Sequence, residues 1–134
     1  MAKILIVDDS ESIRVELKDI LESAGFTVFA GVDGNNGFQI AESQDYFDFI
    51  LSDYNMPGLD GLSMIQKIKT LPKYETTPFG MLTTESSKEL KDAGKQAGIV
   101  VWVVKPFEKD RLITTIQKVF EKEVNGFFLA YTQL

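Results

Sequence analysis

The 134-residue chain has no cysteine and no histidine. Without cysteine there is no disulfide, no thiolate metal site and no sulfur nucleophile. Without histidine there is no Ser-His-Asp triad, no imidazole metal site and no phosphohistidine on this chain, so any imidazole chemistry must come from a partner. Basic residues are also short: 14 Lys and Arg stand against 20 Asp and Glu, a net charge of -6. A nucleic-acid backbone would be repelled on average, and no basic run offsets this, so no nucleic-acid partner is expected. Long apolar runs are missing as well. Ile4-Leu5-Ile6-Val7 is too short for a signal peptide and runs straight into Asp8 and Asp9. No stretch approaches a membrane span, and a cytoplasmic location is the expectation.

What is present fits one globular domain. The length suits a single core, and 44% hydrophobic with 25% charged residues is ordinary for such a domain. Apolar runs of strand length alternate with segments of helical period. Ile4–Val7 is continuous and β-branched, as a strand buried on both faces should be. Ser10 then reads as an N-cap for a helix carrying Ile13, Leu17, Ile20 and Leu21, stopped at Gly25. Further strands are expected at Phe26–Ala30, Phe47–Ser52, Phe79–Leu82 and Val100–Val104. Helices are expected at Asn35–Ser43, Leu62–Leu71, from Ser86 or Ser87 to about Ala97, and from Glu108 to about Glu123. Five βα units imply an α/β fold: a parallel sheet with right-handed crossovers and helices on both faces. Residues 124–134 fall outside this pattern as an apolar tail.

Polar residues collect where strands end. Asp8 and Asp9 come after the first strand, Asp53 after the third, Thr83 after the fourth and Lys105 after the fifth. In an open α/β sheet, ligands bind beyond the carboxyl ends of the strands, so these side chains should converge on one rim. Crowded carboxylates repel one another unless a cation joins them. Hard oxygen donors favour Mg²⁺. With a lysine and a hydroxyl added, the set suits a transferring phosphoryl group with one carboxylate as nucleophile. Asp53, on what should be a central strand, is the candidate nucleophile. The Lys105-Pro106 bond tolerates cis, which would aim the lysine inward.

Each residue also has a plainer meaning. Asp8-Asp9 could be helix N-terminal acids, Asp53 a turn aspartate, Lys105 a solvated lysine and Thr83 a neighbour of a helix cap. Their joint placement at strand ends favours the site. Trp102, the single tryptophan, reads equally as core or as a moving part; strand alternation puts it on a face with Val100 and Val104, opposite Val101 and Val103.

Four segments carry a family resemblance: Val7-Asp8-Asp9-Ser10, Ser52 to Gly61, Met81-Leu82-Thr83-Thr84 and Val104-Lys105-Pro106-Phe107. In this order, each after a strand, they resemble the receiver domains of two-component response regulators, over residues 2 to about 121. The resemblance implies a doubly wound, flavodoxin/CheY-like fold, strand order 2-1-3-4-5, with a receiver domain at 1–123 and the tail at 124–134. It implies Asp53 as phosphoacceptor, and Asp9, Asp53 and the Asn55 backbone carbonyl as Mg²⁺ ligands, with Asp8 holding the ion through water. Lys105 would contact the phosphate, Thr83 would be the switch hydroxyl and Trp102 the aromatic switch. The chain is most similar to single-domain, chemotaxis-type members. A CheA-like histidine kinase is then the expected donor, the flagellar switch protein FliM a candidate target, and a monomer the expected state. Such a protein is no enzyme toward outside substrates; it catalyses only its own phosphorylation and dephosphorylation.

Gly80 inside the fourth strand, and Val100, Val101 and Trp102 in the fifth, depart from the usual pattern. Gly80 should mark a close approach by another group. The tail should pack on its own domain, with Val100, Val101, Phe127 and Phe128 covering one another, or else serve self-association or a partner. Two other functions are weighed against the phospho-switch. A phosphohydrolase would need a cap or substrate insertion, and none is visible. An unphosphorylated interaction module would normally lack one of the acids or the lysine. A receiver in a phosphorelay unrelated to chemotaxis stays open as the alternative output.

Overall fold

Strand β1 (Lys3–Val7) lies inside a five-stranded parallel sheet, second in the order β2-β1-β3-β4-β5. The computed structural model describes residues 2–121; the tail at 124–134 lies outside them, and the last helix ends at Val119, with Phe120 as its C-cap, short of the expected Glu123. The other strands are β2 (Thr27–Gly31), β3 (Phe49–Ser52), β4 (Phe79–Thr83) and β5 (Ile99–Val104). Helices α1 (Glu11–Ser23), α2 (Gly34–Ser43), α3 (Gly61–Lys69), α4 (Lys88–Gln96) and α5 (Lys109–Val119) alternate strictly with them. This is the expected doubly wound, flavodoxin/CheY-like fold. No helix among the described residues is long and apolar enough to cross a membrane.

Alternation along each strand builds two cores. Ile4, Ile6, Phe49, Leu51, Leu82, Val101 and Val103 face Leu17, Ile20 and Leu21 of α1 and Leu112, Ile116 and Val119 of α5. On the other side Leu5, Val7, Ile50, Phe79, Met81 and Trp102 meet Ala41 of α2 and Met64, Ile65 and Ile68 of α3. Each α-helix opens on a side chain that accepts a backbone N–H: Ser10, Asp33, Asp60, Ser87 and Glu108. Ser87, not Ser86, caps α4.

Three further expectations need correction. Val100 does not share a face with Trp102. Phe79 pairs with Ile99 but Gly80 pairs with Val101, so Val100 is an extra residue. The bulge restarts the alternation and turns Val100 toward the α1 and α5 side with Val101. The third helix stops at Lys69 and gives way to a 3-10 turn at Pro72–Tyr74, where proline starts a new turn. The third strand begins at Phe49 rather than Phe47; Phe47 is still buried, but it precedes the ladder.

Gly80 has the close neighbour its position implied. A Cβ there would stand 2.7 Å from Cζ of Phe49 and 3.0 Å from Cδ1 of Leu51. The Phe49 ring uses that space and in turn meets Phe120 edge-on at 6.3 Å.

Candidate functional site

Parallel register creates the site. Val7 is level with Ser52, so the next residues, Asp8 and Asp53, leave the sheet side by side. The Asp53 amide donates to the Val7 carbonyl at 2.9 Å and that of Asp8 to the Gly31 carbonyl at 3.2 Å, holding both at the carboxyl edge. Thr83 is level with Val104, and the Lys105 amide donates to the Thr83 carbonyl at 2.8 Å. The Lys105-Pro106 bond is cis.

Four of the expected side chains meet. Lys105 Nζ donates to Asp8 Oδ2 at 2.8 Å and to Asp53 Oδ2 at 3.0 Å. One oxygen each of Asp8, Asp9 and Asp53 lies within 4.8 Å of the others. Asp8 is 1% exposed and Asp53 9%, whereas Asp9 is open to solvent. The Ser10 amide donates to Asp8 Oδ1 at 2.9 Å, and Arg14 reaches the Asp8 carbonyl at 2.8 Å. The Tyr54 amide donates to Asp53 Oδ1 at 2.6 Å.

Burial pushes the Asp8 carboxyl above its ordinary value, against the pull of Lys105 and the Ser10 amide. For Lys105 burial acts downward, but its hydrogen bonds to Asp8 and Asp53 outweigh it and raise the ammonium. The two directions fit one stoichiometry. A single ammonium serves two acids, so it is well satisfied while each acid has half a partner. With Asp9 added, three carboxylates face one lysine. An all-oxygen, anionic donor set of this kind fits a hard divalent ion such as Mg²⁺.

The remaining expected residues form a second network beside the acids. Thr83 is 1% exposed, and its Oγ1 accepts the Glu85 amide at 3.3 Å. Asn55 Nδ2 donates to Glu85 Oε2 at 2.7 Å. Trp102 is fully buried, and its Nε1 donates to the Glu85 carbonyl at 2.9 Å. Its ring also sits against α4, where a Cβ on Gly94 would be 3.0 Å from Cζ3. Glu85 therefore joins the loop after β3, the loop after β4 and the β5 aromatic. Sequence reasoning missed it. The available signal was an acid two residues past Thr83, in a loop at the same rim.

A doubly wound sheet with acids, hydroxyl and lysine gathered at its carboxyl rim defines a class: a flavodoxin-like switch domain with an anionic, cation-ready centre. Comparison with known proteins narrows this. Residues 4–117 match the response regulator receiver domain family. The chain is 37% identical over 125 residues to chemotaxis protein CheY of Pseudomonas aeruginosa, covering 92% of this chain and 99% of that one. It is 34% identical to chemotaxis protein CheY-3 of Vibrio cholerae, covering 90% and 92%. The solved structure of Vibrio cholerae CheY4 superposes with a TM-score of 0.85 at 41% identity, covering 90% of this chain and 99% of that chain. The chain belongs to the receiver domain family and is a two-component response regulator.

Proposed function

We propose that Asp53 accepts a phosphoryl group from a phosphohistidine on a partner kinase. The observation that carries this is the Lys105 ammonium shared between Asp8 and Asp53, with Asp9 alongside. Asp8, Asp9, Asp53 and the Asn55 carbonyl are the groups that hold Mg²⁺, whose charge offsets that of the phosphoryl oxygens. In transfer, an Asp53 carboxylate oxygen forms a bond to phosphorus as the phosphorus–nitrogen bond to the donor imidazole breaks; the bond pair stays on that nitrogen, and a proton already on the ring or taken from water leaves the imidazole neutral. Lys105 holds a phosphoryl oxygen, and Thr83 donates its hydroxyl to another. Water later cleaves the acyl phosphate, so the domain acts on its own modification and on no outside substrate.

The network at Glu85 supports the output half of this reading. Drawing Thr83 toward the phosphoryl group pulls on the segment that holds Asn55 and Trp102, and this biases a two-state equilibrium at β4, α4 and β5. The CheY likeness supports a chemotaxis role, with a CheA-like kinase upstream and a target such as FliM downstream. It also supports work in the cytoplasm as a monomer, with residues 1–123 as receiver and 124–134 as an appended tail. Acetyl phosphate with Mg²⁺ should label the chain one to one, and Asp53→Asn should not be labelled. Full labelling of that variant would sink the assignment. Capture from the host with the beryllofluoride-trapped form identifies the partners; a target outside the motor would point to a different phosphorelay.

A further inference from the structure

We infer that Trp102 is a fixed post in this chain and that α4 is the part that moves over it. The inference rests on the reading of Asp53 as phosphoacceptor and says where that signal goes. Trp102 is held by both edges of its indole. On one edge Nε1 donates to the Glu85 carbonyl at 2.9 Å. On the other, Cζ3 and Cε3 face Gly94 of α4, where a Cβ would stand 3.0 and 3.5 Å from them. The side chain is 0% exposed and is the largest enclosed one among the described residues. An indole swung outward would give up the burial of a large aromatic and its direct partner at Glu85, and would leave a void beneath α4. The one hydrogen bond that Thr83 gains at the phosphoryl group is a small lever against that loss.

The helix α4 is free to respond because little holds it down. Gly94 is buried, and the rest of α4 is exposed or half-buried. By contrast α1 buries Leu17, Ile20 and Leu21, and α3 buries Met64, Ile65 and Ile68. A helix with so little apolar burial belongs to the low-stability end of a fold. Its seat on the indole is also smooth. Glycine has no side chain to lodge against the ring, and even a methyl group there would press on Trp102 and come within 3.3 Å of Ile99 Cδ1. The pull arrives through the backbone. Thr83 Oγ1 accepts the Glu85 amide at 3.3 Å. A hydroxyl that donates to a phosphoryl oxygen keeps its lone pairs, so Thr83 draws the Glu85 amide along with it. Ser87, the N-cap of α4, stands two residues further on. Displacing Glu85 against a stationary indole therefore reaches α4 and slides Gly94 across the ring edge.

Trp102 is the one tryptophan of the chain, so its fluorescence reports on this position without background. In the full-length chain, acrylamide should quench Trp102 at least about tenfold more weakly than it quenches free N-acetyltryptophanamide, as an enclosed aromatic requires. Mg²⁺ with beryllofluoride should leave that quenching unchanged within about twofold and alter amide exchange from Lys88 to Gln96 by at least about threefold, while Leu17 to Leu21 of α1 hold steady. Gly94→Ala should raise quenching in the untreated chain by at least about twofold, because the methyl group forces helix and indole apart. Its beryllofluoride binding, read by fluorine NMR, should match the parent. At full beryllofluoride occupancy, a parent indole that opens to acrylamide, or α4 exchange that does not respond, would overturn the inference, whether or not the Gly94→Ala chain folds. Unchanged quenching in a folded Gly94→Ala chain would also count against it, because α4 would then not rest on the ring. Failure of beryllofluoride to occupy Asp53 is a different result: it would sink the phosphoacceptor reading, and the inference with it.

Discussion

Gly61 presses its backbone against Asp53 so closely that a Cβ there would stand 2.0 Å from the Asp53 carbonyl oxygen and 3.0 Å from Ser52 Oγ. The Gly61 amide donates to the Tyr54 carbonyl at 2.8 Å, and Ser52 Oγ donates to the Asp53 carbonyl at 2.8 Å. The first turn of α3 thus clamps the loop that aims Asp53. Gly61→Ala should force the loop and helix apart and cost about 1–3 kcal/mol, the usual scale for overpacking. Chemical denaturation reads the stability and acetyl phosphate labelling the aim of Asp53. A variant equal to the parent in both would show that the contact relaxes without consequence.

Lys105 forms ion pairs with both Asp8 and Asp53, at 15% side-chain exposure against their 2% and 11%. Lys105→Met removes the charge and keeps most of the stem. Two buried acids then face each other unpaired, so the metal-free domain should lose about 1–3 kcal/mol. Labelling of Asp53 should slow about 100-fold, the scale for losing one fixed charge beside a transferring group. Mg²⁺ should recover more of the stability than of the labelling rate, which melting curves with and without the ion can separate.

Asp8 predicts a pH dependence. Its carboxyl is raised by burial, so the folded state holds this proton more tightly than the unfolded chain. The stabilising contribution is complete below about pH 4 and is lost as pH rises through the folded-state value. At neutral pH without metal, ionised Asp8 is therefore a net cost. Asp8→Asn should raise the melting temperature of the metal-free domain at pH 7 by about 3–5 °C. Saturating Mg²⁺ should stabilise the parent by about 2.7 kcal/mol at a hundredfold excess over Kd, and the variant by much less. No gain at pH 7 would show that the Lys105 pair outweighs burial after all.

Tyr74 sets an alkaline limb. It is fully buried, and its hydroxyl donates to the Ala41 carbonyl at 2.6 Å, closing the end of α2. Burial raises the phenol above its ordinary value. The contribution is present below about pH 10 and falls away as pH climbs through the folded-state value. Tyr74→Phe should cost about 1 kcal/mol at neutral pH and flatten the decline above pH 10. An unchanged alkaline slope in urea titrations would assign that decline to other groups.

The amino-acid sequence alone determined the alternation of strands and helices and put an acid, a hydroxyl or a lysine at the end of β1, β3, β4 and β5. These are local properties: apolar runs make buried strands, and capping residues such as Ser10, Asp60 and Ser87 start helices where the strand turns away. Which side chains meet was decided by pairing between strands far apart in the chain. Val7 level with Ser52 joins Asp8 to Asp53, and Thr83 level with Val104 brings Lys105 to them. A slip of one residue would turn each of these to the other face, and no local rule forbids it. The bulge at Val100 is such a slip, and it misled the reading of that strand. Glu85 was invisible for the same reason. Its bonds to Asn55 and Trp102 exist only because three carboxyl-end loops share one rim, and that sharing is a property of the assembled sheet.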